Sequence, residues 1–281
     1  MKKKTIIISV AAVLALAAVA VFLYGQNNRI ERTRFEYKSE KVPESFDGFK
    51  IVHVSDLHNK EFGNENGRLT EIIKKEIPDV IFITGDIIDS RHTDFDAALR
   101  FAEKCVQIAP TYYVSGNHEH RFENIEEFFF QLQSSGVNVL EDEKALIERN
   151  GESIFLYGLS AKKEDGFLGD YISQIQRLSE KKSKDEFSVL LAHYPHYLYA
   201  YANAGLDVVF SGHAHGGQFR IPFTNIGLFA PDQGFFPEFV GGEYRQDSTV
   251  MYLSRGLGNS LFPLRLFDRP QILCVTLKNE K

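Results

Sequence analysis

Thiols are scarce in these 281 residues, and acid is missing from the start of the chain. Cys105 and Cys274 are the only cysteines, too few for a disulfide framework or a cysteine-based metal cluster. Cys105 falls in a helical apolar pattern and Cys274 in the strand-like run Ile272 to Val275, so both read as buried free thiols. Residues 1–28 hold no acid, and their only charged side chains are Lys2, Lys3 and Lys4. The remainder sets 29 basic residues against 38 acidic ones, a formal charge of −9. Gripping a phosphate backbone takes clustered Lys and Arg, so no nucleic-acid partner is expected. No repeat or low-complexity tract is present, and nothing points to a protein partner. Apolar residues are plentiful at 43%, with 24 Phe and 12 Tyr, which excludes a disordered chain.

Behind the three lysines, Thr5 to Tyr24 is an uncharged apolar stretch. At about 1.5 Å per residue it is long enough for a hydrocarbon core of about 30 Å. Ala18-Val19-Ala20 could serve as a signal cleavage site, but Val21 to Tyr24 continues the apolar run beyond it. Residues 1–28 therefore read as a membrane anchor in preference to a cleaved signal. The lysines place the N-terminus in the cytoplasm and the rest outside, a single-pass arrangement in the cell membrane. Arg29, Arg32 and Arg34 on the far flank reduce that contrast. Residues 29–47 read as a linker with one edge strand around Arg34 to Lys38, and residues 48–281 as the folded domain.

From Phe49 onward short apolar runs alternate with helical patterns. Strands are expected at 50–55, 80–83 and 111–114. Helices carry Leu69, Ile72 and Ile73 up to Pro78, then Phe95 to Val106, then a segment capped by Asn124 and stopped at Gly136. Beyond residue 137 strands dominate, around 137–140, 144–149, 153–158, 187–192, 207–211, 249–254 and 271–277, with one helix near 168–180. The fold class is α/β, a two-sheet β-sandwich flanked by helices, with an N-terminal transmembrane helix.

The chemistry lies in the residues just past the strands. The first strand ends in Asp56-Leu57-His58, the second in Gly85-Asp86, and the third in Gly116-Asn117-His118-Glu119. The strand near 187–192 ends in His193, and that near 207–211 in Gly212-His213-Ala214-His215. Ligand sites in α/β sheets lie beyond the carboxyl ends of strands. Carboxylate, imidazole and amide oxygen suit Mn, Fe, Zn or similar divalent ions. Seven candidate ligands exceed the needs of one tetrahedral ion, whereas two ions sharing a carboxylate would use them all. Asp86, on the strand expected to be central, is the natural bridge.

The ordered set D-x-H, G-D, G-N-H-E, H and G-H-x-H resembles the calcineurin-like metallophosphoesterase family over residues 49 to about 220. The resemblance implies that Asp56, His58, Asp86 and His215 hold one ion, and that Asp86, Asn117, His193 and His213 hold the second. It implies that His118 is a catalytic histidine rather than a ligand, and that Glu119 orients it. The tail, with Ser254 to Gly258 and Pro263-Leu264-Arg265, is similar to a bacterial membrane-anchored branch of the family. That branch includes phosphodiesterases and hydrolases of UDP-diacylglucosamine. The implied activity is dinuclear-metal hydrolysis of a phosphodiester or pyrophosphate, in a small-molecule or lipid-linked ester. The alternatives are a broad phosphomonoesterase and a non-catalytic metal-binding scaffold.

Other polar and aromatic residues have plainer readings. His53, alternating with apolar neighbours, is a core histidine. Asp89 and Arg91 either line the pocket or are solvated. Core packing is the default for Phe235, Phe236, Phe239, Phe262 and Phe267. Any of them left exposed could meet an acyl chain or a membrane surface.

Overall fold

The computed structural model describes residues 2–162, 168–180, 182–183, 185–260 and 262–281. The chain opens with helix α1 (Lys2–Asn28), followed by β1 (Glu31–Ser39), β2 (Lys50–Val54), α2 (Gly67–Glu76), β3 (Val80–Thr84) and α3 (Phe95–Val106). Next come β4 (Thr111–Val114), α4 (Ile125–Ser134), β5 (Asn138–Val139), β6 (Glu143–Arg149), β7 (Glu152–Leu159) and α5 (Leu168–Ser179). The last part holds β8 (Ser188–Ala192), α6 (Leu198–Asn203), β9 (Val208–Ser211) and the small ribbon of β10 (Phe229–Ala230) with β11 (Gly234–Phe235). Then β12 (Gly242–Gln246), β13 (Thr249–Leu253) and β14 (Gln271–Asn279) complete it.

Among the described residues two six-stranded sheets form, in the orders β1-β14-β2-β3-β4-β5 and β12-β13-β9-β8-β7-β6. Alternation along β3 shows why they stack. Val80 and Phe82 join Phe210, Leu191 and Tyr252 of the other sheet in one buried cluster, while Ile81 and Ile83 face α2, α3 and α4. The outer face of the second sheet packs Leu190 and Val209 against Tyr171, Ile175 and Tyr201 of α5 and α6. The result is the expected sandwich with helices outside. Both cysteines are buried and free. His53 is fully buried between the sheets, its Nε2 2.7 Å from Thr84 Oγ1.

Some expectations need correction. The strand near Arg34 runs over nine residues and pairs in parallel with β14 along its whole length, and Val42 and Phe46 beyond it are fully buried. Segment 29–47 is thus built into the sheet and core. Asn124 flanks α4, but its side chain makes no capping bond. Of the five late phenylalanines only Phe239 is buried; Phe235, Phe236, Phe262 and Phe267 are exposed. Phe235 lies in the β10–β11 ribbon and the other three in glycine- and proline-punctuated loops, all outside the two six-stranded sheets. Helix α1 is apolar and long enough to cross a membrane; it is exposed from Lys3 to Phe22, while Gln26 and Asn27 near its end are buried.

Candidate metal centre

Strands β2, β3 and β4 run parallel in one sheet, and β8 and β9 run parallel in the other. Their carboxyl ends meet at one rim of the sandwich, so the five polar strand ends converge. The backbone there is bent hard. Asp56 (φ 52°), His58 (48°), Asp86 (51°), His213 (71°) and His215 (48°) all adopt left-handed conformations. Such strain clusters where surrounding structure holds functional groups in place. Two glycines permit the close approach: a methyl group on Gly116 would overlap the Asp86 carboxylate, and one on Gly212 would overlap that of Asp56.

The side chains of Asp56, His58, Asp86 and His215 present ligand atoms within 4.8 Å of one another, and so do those of Asp86, His193 and His213. Asn117 completes the second group, with Oδ1 3.2 Å from His193 Nε2. Every ligand position expected from the sequence therefore reaches this one centre, and Asp86 belongs to both groups. His118 forms a third group with His58 and Asp89. A cleft of about 120 Å³ opens onto the centre, lined by Asn117, His118, His213 and His215 with Arg91 and Arg121.

Hydrogen bonds outside the centre set which ring nitrogens face it. His193 Nδ1 lies 2.7 Å from the Thr84 carbonyl, to which it donates, leaving Nε2 inward. His213 Nε2 lies 3.0 Å from Asp232 Oδ2, leaving Nδ1 inward, 3.1 Å from His193 Nε2. His58 Nε2 and His215 Nε2 face each other at 3.2 Å. Partners of this kind fix the tautomer of a metal-binding histidine.

Glu119 does not orient His118. Its buried carboxylate accepts backbone N–H bonds from Asp86, Ile87 and Gly116 at 2.8–2.9 Å, tying the loop after β3 to the loop after β4. A short turn over Glu119–Arg121 carries the side chain back beneath those loops, away from the imidazole beside it in sequence. His118 Nδ1 instead accepts the Ser90 N–H at 3.1 Å and lies 3.5 Å from Asp89 Oδ1. Asp89 also grips Arg91 through both oxygens, at 3.0 and 2.8 Å, so Arg91 lines the cleft and buried Asp89 holds it there. Sequence reasoning missed Asp232 and Asp268 and named Arg265 only within the tail motif; Arg265 pairs with Asp268, and its guanidinium stands 3.4 Å from His215 Nδ1. Asp232 lies 19 residues past His213, and no periodic pattern marks it.

The electrostatics favour cations. Burial pushes Asp56 up to about 6, and the Asp86 charge adds to this. Burial would also raise Asp86, but His193, His58 and His118 together hold it well below the usual carboxylate range. Burial lowers His58 to about 3 and takes His215 well below its ordinary value, so both are neutral and ligand-ready. Burial opposes a charge on His193, yet the Asp86 and Asp56 carboxylates outweigh it and raise the ring to about 9. A cation would take the place of that proton, so binding and proton release are coupled. Buried carboxylates and inward-facing imidazole lone pairs are costly without positive charge among them, and the donor set fits two divalent ions.

Comparisons with known proteins agree with this geometry. The family model described as calcineurin-like phosphoesterase matches residues 49–217. An uncharacterised metallophosphoesterase, YkuE, of Bacillus subtilis (strain 168) is 32% identical over 263 residues, covering 91% of this chain and 88% of the relative. A transmembrane protein with metallophosphoesterase domain from Danio rerio is 29% identical, covering 95% of this chain and 62% of that protein. Among solved structures, a dimetal phosphatase from Danio rerio shares the fold with a TM-score of 0.51 at 13% identity, over 82% of this chain and 99% of that one.

Proposed function

The chain belongs to the calcineurin-like phosphoesterase family and is a metal-dependent phosphoesterase, and we propose that it cleaves a phosphodiester or pyrophosphate bond in a lipid-linked substrate at a dinuclear centre. In this reading Asp56, His58, Asp86 and His215 hold one ion, and Asp86, Asn117, His193 and His213 hold the other. One observation carries it: the Asp86 carboxylate lies within 4.8 Å of the ligand atoms of both buried donor groups. Mn, Fe or Zn would suit the donors equally.

Bound divalent cations supply a water-derived nucleophile near neutral pH and offset phosphate charge in the transition state. The chain's own residues do the rest. Because Nδ1 of His118 accepts the Ser90 N–H, Nε2 carries the proton that a leaving oxygen in the cleft would receive. Arg91, held by Asp89, and Arg121, donating to Ser90 Oγ at 3.2 Å, stand at the cleft as partners for phosphate oxygens. Glu119 keeps the loops bearing Asp86 and Asn117 in register.

Residues 1–28 act as a single-pass anchor and 48–281 as the catalytic domain, and segment 29–47 joins them by adding β1 to the catalytic domain's own sheet. The apolar span of α1 and the relative named a transmembrane protein support the anchor. Lys2, Lys3 and Lys4 support an extracytoplasmic domain. The tail's similarity to the membrane-anchored branch supports a substrate such as UDP-diacylglucosamine.

The test strips the full-length chain of metal, reloads it with Mn, Fe or Zn, and assays three substrates in parallel. These are UDP-diacylglucosamine, bis-p-nitrophenyl phosphate and p-nitrophenyl phosphate. Metal-stimulated cleavage of the first two above the third is expected. Faster monoester turnover would identify a phosphomonoesterase, and no metal-stimulated hydrolysis of any of them would leave a binding scaffold.

A further inference from the structure

Beside the metal cleft, two loops present large apolar side chains to solvent. Phe223 is 108% exposed, Phe235 73% and Phe236 66%, and Ile221, Phe262 and Phe267 are exposed with them. Scattered apolar residues on a surface need no explanation, but these stand on backbone segments bonded to one another, with the Phe236 N–H donating to the Leu228 carbonyl at 3.0 Å and the Leu228 N–H to the Phe219 carbonyl at 2.8 Å. Phe219 joins the two loops, bridging to Leu266 and packing on Phe262 at 5.5 Å between ring centroids. Phe223, Phe236 and Phe267 also adopt left-handed φ values of 65°, 54° and 55°. Bulky residues rarely do so, and an exposed ring contributes nothing to the core that could offset the strain.

The patch is continuous with α1. Phe267 packs on Phe22 with ring centroids 5.6 Å apart, and Phe22 belongs to the apolar run that ends at Tyr24. A groove of about 410 Å³ lies between this end of α1 and the loop that carries Phe223. The end of the helix is fastened to the same loops: Arg265 N–H donates to Asn27 Oδ1 at 2.8 Å, and Asn27 Nδ2 donates to the Arg265 carbonyl at 3.3 Å. If α1 crosses a bilayer, Phe267 lies at the depth where the span ends, and its neighbours lie near the same level. Two residues of these loops, Pro231 and Ser260, line the metal cleft.

We propose that this aromatic shelf is a docking surface for the lipid bilayer, inserted at the boundary between headgroups and acyl chains. It holds the cleft mouth at the membrane surface, where a phosphoester in the headgroup layer can enter. The proposal rests on the reading of α1 as an anchor, and the test separates the two.

The chain contains no tryptophan, so a single introduced indole reports its own surroundings. Full-length Phe223→Trp, Phe235→Trp, Leu14→Trp and Phe130→Trp variants are reconstituted in phosphatidylethanolamine–phosphatidylglycerol vesicles, with plain or brominated acyl chains. Leu14 lies within α1, and Phe130 is exposed on α4. Bromine should quench the indoles at 14, 223 and 235 by roughly half, as insertion to about 5–10 Å would give for the latter two, and spare the one at 130. Quenching at 14, with 223 and 235 behaving like 130, would overturn the shelf and leave the anchor standing. No quenching at 14 would overturn the anchor and the shelf together. Blue-shifted but unquenched emission at 223 and 235 would point to a second copy of the chain, and would also overturn the proposal.

Discussion

The metal centre and the aromatic shelf are inversions of each other. At the centre Asp56, Asp86, Glu119 and His193 are at most 1% exposed, so polar groups occupy a core position. On the shelf, phenylalanines occupy solvent positions. Both regions carry left-handed backbone at residues other than glycine. The difference lies in what holds them. Hydrogen bonds to the Thr84 carbonyl and the Asp232 carboxylate, and from Ser90 and several backbone N–H groups, determine the centre from outside. The shelf rests on ring contacts and on the end of α1. An inverted region that its surroundings hold this firmly serves chemistry, whereas one left open serves contact.

Substitutions at the centre should have large effects, and those on the shelf should spare the fold. Asp86→Asn should cost on the order of 10⁴ in kcat/KM and lower the content of both metals together, because transition-state charge stabilisation is worth several kcal/mol. Full metal content with undiminished rates would remove Asp86 as the shared ligand. His118→Ala should keep both metals and lose roughly 10²–10⁴-fold on poor leaving groups, with a smaller loss on p-nitrophenyl esters. Equal losses on good and poor leaving groups would argue against proton donation. Asp232→Ala should weaken metal binding roughly 10–100-fold, as read by competition with a chelator, and Asp232→Asn should recover part of it. Smallest of all, Phe223→Ser should change unfolding free energy in detergent by no more than about 0.5 kcal/mol. A larger loss would mean that the shelf supports the fold.

The sandwich was legible because β2, β3 and β4 are strongly apolar and end in Asp, Gly or Asn, and because Pro78 and Gly136 stop helices. The ligand positions were legible because each falls in the first turn of loop past a strand end. Glu119 was misread because neighbours in sequence look like partners, whereas the turn at Glu119–Arg121 points its carboxylate toward Gly116 and Asp86. The edge strand β12, Gly242–Gln246, alternates half-buried with exposed residues and carries mostly polar side chains, so no apolar pattern marks it. Asp232 and Arg265 come from loops whose paths depend on tertiary packing alone. The late phenylalanines show a further limit, since composition records that they are apolar but not which side of the surface they occupy.

Strand β1, just beyond α1, finds its partner in β14, and the Gln271 side chain bonds Thr33 across 238 residues. At a ribosomal pace of roughly 5–20 residues per second, the strand made first waits on the order of 10–50 s for the strand made near the end. During that interval its hydrogen-bonding edge is open, and Arg32, Arg34 and Lys38 supply the charge that discourages pairing with other chains. The sheet takes up this strand only after β14 has been synthesised, so any nascent chain stopped short of residue 271 carries a loose strand next to α1.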